Sequence, residues 1–383
     1  MNHWWIKEAV FLAVWGLYLA TARAQAPEGP MAPPVGVPIQ KSPTIKVRTV
    51  LVNTPVTVRD ASGQMVHSLE ANEFRITDNG VEQKITHFDL GGEPVSVVVL
   101  VETSLRIEPI LPELRKTGIL LTQTVTGTNG EAAIIGFSNS VDKLLDFTGD
   151  PEAVEKTMSK LEEGSWGSKL YDAMAAGVEM LSGRPEASET ELGHRRVMLI
   201  LAEAHDEGSE NKLGEVLRQA QLANVTIYAV GLSTTKAMLK KKPDYKRPPN
   251  PAPEGTFGSP PVPGTVQTPT TEDNKYGATS GADLLALAVW AVQHAKDQVT
   301  SHALEIATTA TGGSHLAVWK DRSLQKAIDE IGGELHAQYT ISYTPEGDSQ
   351  TGYHEIHVKV AGEEARGLKV KSRPGYYLAG PES

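Results

Sequence analysis

The rhythm of hydrophobic and polar positions changes along the chain. From Thr44 to Val58 apolar and polar residues alternate with period two, which predicts a strand with one buried face. A polar turn over Asp60 to Gln64 follows. Next, Asp78-Asn79-Gly80 separates Phe74-Arg75-Ile76 from Ile85-Thr86-His87-Phe88, a strong hairpin signal. This antiparallel block, residues 44–92, is short for an independent sandwich and needs strands from elsewhere.

Beyond Pro94 the pattern becomes one of continuous apolar runs, Val95 to Val101, Ala132 to Phe137, Val197 to Leu201 and Val225 to Val230. Such runs are expected of strands covered on both faces. Between them, helical spacing marks Leu111 to Val125, Pro151 to Glu163, Lys169 to Leu181 and Asn211 to Ala223. The alternation predicts a doubly wound, mostly parallel α/β sheet. Lys236 to Gly281, dense in Pro, Gly, Thr and Lys, reads as a surface insertion. Helical spacing resumes over Ala282 to Gln298 and His302 to Thr309. A strand at His315 to Trp319 and a helix at Leu324 to Leu335 complete an α/β domain over residues 93–335. Period two then returns in Gln338 to Tyr343, Tyr353 to Val360 and Leu368 to Val370, and Arg373-Pro374-Gly375-Tyr376-Tyr377 closes residues 336–383. The simplest account of two orphan β blocks is that they pair, so that the α/β domain is inserted into, or flanked by, a sandwich built from both ends.

Composition narrows the function classes. With 383 residues, 40% hydrophobic and 22% charged, the chain has material for about two domains. A formal net charge of −11 repels phosphate backbones, so nucleic acid is not an expected partner. There is no cysteine, which rules out disulfides, thiolate metal sites and cysteine nucleophiles. Residues 1–24 read as a signal peptide: Lys7 precedes the apolar run Ala9 to Ala20, and Ala22-Arg23-Ala24 supplies small residues for cleavage after Ala24. Glu8 leaves an uncleaved anchor as the alternative. Residues 25–43 form a Pro-rich linker. No later stretch is long and apolar enough to cross a bilayer as a helix. An exported, cysteine-free chain suits a bacterial periplasm or exterior.

On several segments the chain resembles the von Willebrand factor A-related proteins abundant in acidobacteria. These are Asn-Glu-Phe-Arg-Ile-Thr-Asp-Asn-Gly at Asn72 to Gly80, the α/β core, Ser168-Lys169-Leu170-Tyr171-Asp172-Ala173, and the Arg373 to Tyr377 ending. The resemblance implies a protein-binding or adhesion module that recognises its ligand through the top of the sheet. It also implies a metal-ion-dependent adhesion site with an Asp-x-Ser-x-Ser motif, a Thr and a later Asp. Here those positions read Glu102-Thr103-Ser104-Leu105-Arg106, Ser168 and Glu203, so only Ser104 is unchanged.

A degenerate site is therefore expected, with Glu102, Ser104, Ser168 and Glu203 as the remaining candidate donors to Mg²⁺ or Ca²⁺. Mg²⁺ demands rigid octahedral geometry, which longer carboxylate arms upset. Arg106 replaces a hydroxyl with a cation, and its guanidinium is in a position to bridge Glu102 and Glu203. The candidate ligand-binding face comprises Glu102, Ser104, Arg106, Trp166, Ser168, Glu203 and His205. Blander readings stand beside these. The two glutamates and Arg106 also read as solvated charges, and Ser168 as the cap of the next helix. His205, Asp206 and Glu207 also read as a capping loop. Trp166, between Gly164-Ser165 and Gly167, reads equally as a contact residue or as core. No nucleophile elbow, phosphate loop or zinc-protease motif is present, so a non-enzymatic binding protein is expected. The alternatives are a structural envelope component working through the sandwich or the insertion, and a serine hydrolase using Ser104 or Ser168 with His205. The partner and the oligomeric state are not legible.

Overall fold

The computed structural model describes residues 51–127, 129–185, 193–232, 288–289, 292, 302–318, 321–345, 351–362 and 365–378. The expected signal peptide, linker and insertion lie outside the described residues, as does the helix expected over 282–298 apart from positions 288, 289 and 292.

The first strand, β1 (Val52–Arg59), is followed by β2 (Phe74–Asp78), β3 (Val81–Gln83) and β4 (Ile85–Leu90). Asn79 and Gly80 both have positive φ, 47° and 82°, which closes the two-residue turn. The turn joins β2 to β3, with Asp78 opposite Val81, and not to the Ile85 to Phe88 run expected from sequence. That run, as β4, crosses to another sheet.

The α/β unit begins at β5 (Val95–Glu102) and continues through β6 (Glu131–Phe137), β7 (Val141–Thr148), β8 (Arg195–Ala202), β9 (Val225–Leu232) and β10 (His315–Val318). These six strands lie in the order β10-β9-β8-β5-β6-β7. All neighbours are parallel except β7, which runs antiparallel to β6. β7 escaped the sequence reading because it is an edge strand with no buried residue and no continuous apolar run.

Successive side chains of the central strands feed two cores. Val98, Leu100, Met198 and Ile200 pack with helices α1 (Leu170–Ser182), α2 (Leu213–Leu222) and α3 (Ala303–Thr311). Val97, Val99, Val101, Val197 and Leu199 face the other way. They pack with the helical turns of Leu111–Leu114 and Leu121–Thr126, with the helix Pro151–Ser159 and with α4 (Asp321–His336). Burial on both faces is what makes these strands read as unbroken apolar runs.

The last four strands are β11 (Tyr339–Tyr343), β12 (Gly352–Val360), β13 (Lys369–Ser372) and β14 (Gly375–Leu378). They complete two antiparallel sheets: strands from the two chain ends alternate in β13-β1-β11-β4, and the pair β14-β12 joins the pair β2-β3 in the other. Val52 pairs with Tyr343 and Ile76 with Val358. Val56, Phe74, Ile76, Tyr339, Ile341 and Ile356 form a third core between these sheets. A polar seam ties the sandwich to the N-terminal edge of the parallel sheet. Fully buried Gln338 accepts from Arg195 and Tyr228 and donates to Thr57.

Candidate functional site

At the C-terminal ends of β5 and β8, Glu102, Ser104 and Glu203 meet, and Ser168 bonds to the loop after β8 at His205. Glu102, the last residue of β5, is fully buried. Its Oε1 accepts from Ser104 Oγ at 2.5 Å and its Oε2 from the Glu203 backbone N–H at 2.8 Å. Burial pushes the Glu102 carboxyl above its ordinary value, against the hydrogen bonds from Ser104 and Glu203 that lower it. Ser168 is also fully buried, and its hydroxyl donates to the His205 carbonyl at 3.0 Å. The Glu207 amide returns a bond to the Ser168 carbonyl at 2.7 Å.

Arg106 does not play the expected part. Its Nη2 pairs with Glu207 at 2.6 Å and its Nε reaches the Trp166 carbonyl at 3.4 Å. The 3-10 turn Leu105–Ile107 aims the side chain outward, while the oxygens of Glu102 are already engaged by Ser104 and Glu203. The bridge to Glu102 and Glu203 is therefore replaced by a surface ion pair.

The loop after β8 is held by α1. Asp206 accepts from the Tyr171 amide at 3.0 Å and Ser209 from the Asp172 amide at 3.1 Å, so this loop caps the helix. Ser168 makes no cap, and the N-cap residue is Lys169. Asp172 in turn accepts from the backbone of Glu210 and Asn211. Burial raises the Asp172 carboxyl, but Asn211, Glu210 and Lys169 outweigh it and hold it below the ordinary value. The sequence signal for this brace was the Ser-Glu-Asp-rich stretch after β8, read as capping from composition alone.

Trp166 is 68% exposed, so the indole is not part of the core. Its loop is tied by Gly164 N–H to the Thr103 carbonyl at 2.7 Å and by Leu105 N–H to the Ser165 carbonyl at 3.1 Å. Gly164 is needed because a Cβ there would lie 2.8 Å from Ser138 Cβ. His205 is half-exposed, with its ring 3.6 Å from Glu207. Neither serine hydroxyl meets that ring, since Ser104 donates to Glu102 and Ser168 to a carbonyl.

The resemblance implies a metal ion among Glu102, Ser104, Ser168 and Glu203, and the donor set does not fit one. Glu102 is desolvated with both oxygens occupied by donors, and Ser104 and Ser168 each turn a hydroxyl proton onto a protein oxygen. Among the described residues no group of three or more His, Cys, Asp or Glu is placed to hold a metal ion. The same residues include no helix long and apolar enough to cross a membrane.

No protein-family model and no curated protein sequence matches the chain. Among solved structures it is similar to an aerotolerance-related membrane protein from Bacteroides fragilis, at 13% identity over 63% of this chain and 99% of that one, with a TM-score of 0.37. It is similar to BatB from Bacteroides thetaiotaomicron, at 14% identity over 63% and 98%, TM-score 0.37. A von Willebrand factor type A protein from Catenulispora acidiphila shares 8% identity over 87% and 75%, TM-score 0.41. Likenesses of this degree say nothing about a ligand.

Proposed function

We propose that the protein is an exported, non-enzymatic binding module of a bacterial periplasm or exterior, whose top face engages a protein ligand without a metal ion. The observation that carries this reading is Trp166, 68% exposed on a loop pinned at both sides, beside the Arg106–Glu207 pair. An exposed indole on a rigid platform loses little entropy on binding and supplies a large contact area, the profile of an interface anchor. The inward-turned hydroxyls of Ser104 and Ser168 support a role in shaping the platform and not in covalent chemistry.

A photo-cross-linking residue placed at position 166, and separately at exposed Leu222 on α2, tests the reading in the source's own envelope. Position 166 should give one discrete adduct that survives chelator and disappears when Arg106→Ser is added. No adduct at 166, or the same adducts from 222, would overturn it in favour of assembly through the sandwich.

A further inference from the structure

At the opposite end of the parallel sheet, a cavity of about 40 Å³ lies where the starts of β8 and β9 meet the sandwich. A water needs roughly 10–15 Å³ of such space, so there is room for a small polyatomic ion. Its lining includes Arg195, Arg196 and Arg373 against a single carboxylate, Glu93. Three guanidinium groups facing one carboxylate give the lining a positive surplus. Glu93 is itself paired with His87 at 3.4 Å.

The arginines are not equivalent. Arg195 donates to the Leu335 carbonyl and to Gln338, and Arg196 donates to the carbonyls of Ala223 and Arg184. Arg373 is only 4% exposed, and its Nη1 reaches Asn224 Oδ1 at 3.3 Å. Its Nε and Nη2 are buried and have no hydrogen-bond partner among the described residues. Buried Asp78 does not meet this need. It accepts from Tyr343, Tyr376 and His354 at 3.0, 2.8 and 2.8 Å. Thr340 Oγ1, on another wall of the cavity, is also buried without a partner.

Native folds rarely leave a buried guanidinium edge unanswered. Nε and Nη2 lie on one edge of the guanidinium, the edge that takes two oxygens of an oxyanion in parallel. We infer that this cavity is a binding site for a small inorganic oxyanion of the phosphate or sulfate type, held by Arg373 and Thr340 in the field of Arg195 and Arg196.

Isothermal titration of the full chain with sodium phosphate, and separately with sodium sulfate, at ionic strength fixed by sodium chloride, tests the site. Wild type should bind one anion per chain saturably at low millimolar concentration, below the range where salting-out effects act. Arg373→Met should weaken binding by at least about tenfold, the loss of a bidentate charged contact. Should that variant fail to fold, Thr340→Val decides, since it removes only an unpartnered hydroxyl and should weaken binding severalfold. Absence of saturable heat with both anions, or equal affinity in wild type and the folded variants, would overturn the inference.

Discussion

At the C-terminal ends of β5 and β8, buried polar groups answer one another. Ser104 and the Glu203 amide fill Glu102, Ser168 gives its proton to a carbonyl, and the surplus charge of Arg106 leaves for the surface. At the N-terminal ends of the sheet, where the sandwich packs on, the count does not close: two buried donor atoms of Arg373 have no acceptor among the described residues. An unmade buried hydrogen bond costs more than a made one contributes. The closed set can therefore serve as a rigid platform, while the open set calls for a partner from outside the chain. The family resemblance directs attention to the first region, whereas unmet polar demand points to the second.

The contrast can be broken first where the sandwich meets the α/β unit. Glu334 on α4 is buried and contacts Arg59 at 3.0 Å, Ser314 at 2.7 Å and Lys371 at 3.2 Å. Glu334→Ala should cost about 1.5–3 kcal/mol in urea unfolding, since Ser314 and two partly exposed cations lose a charged acceptor. Burial raises the Glu334 carboxyl, but Lys371, Ser314 and Arg59 together hold it below its ordinary 4.5. A depressed carboxyl stabilises the fold above its unfolded value and loses that contribution as pH falls through the folded value. Wild type should thus lose stability more steeply than Glu334→Ala below about pH 4.5. Parallel pH profiles would mean that the cluster is not a connecting element.

On the platform side, Gly164→Ala forces a Cβ to within 2.8 Å of Ser138 Cβ and should cost about 1–3 kcal/mol. Hydrogen exchange should rise selectively at the Gly164 and Leu105 amides, the two that pin the Trp166 loop. An unchanged melting temperature would show that the platform is softer than its hydrogen bonds suggest.

Smaller still is the effect of Arg106→Ser. Its partner Glu207 is 60% exposed, so the loss should be only about 0.2–1 kcal/mol. A loss well above that would restore a bridge to Glu102 and Glu203. The smallest change belongs to the metal. Millimolar MgCl₂ should move the wild-type melting temperature no further than NaCl of equal ionic strength, because stabilisation by an ion requires a site in the native state. A magnesium-specific rise reversed by chelator would make the platform open and the comparison false.

Much of this fold was legible in one dimension. The runs Val95 to Val101 and Val197 to Leu201 announced strands buried on both faces, and Asn79-Gly80 announced a turn that needs positive φ. Alternation at both ends announced sheets with one face inward. These features follow from periodicity and local dihedral preference, which a few neighbouring residues determine. Glu102 and Glu203 could be placed at the ends of β5 and β8, because strand ends mark themselves where an apolar run stops.

What tertiary structure alone decided were the partners. β3 took the hairpin place expected of β4, the edge strand β7 had no apolar run to reveal it, and Arg106 chose Glu207 over Glu102 and Glu203. The cavity at Arg373 depends on Asn224, 149 positions away, and on Thr340 from yet another strand. Whether a buried polar group is satisfied depends on atoms within about 3.5 Å in space, and no local pattern records which distant segments will supply them.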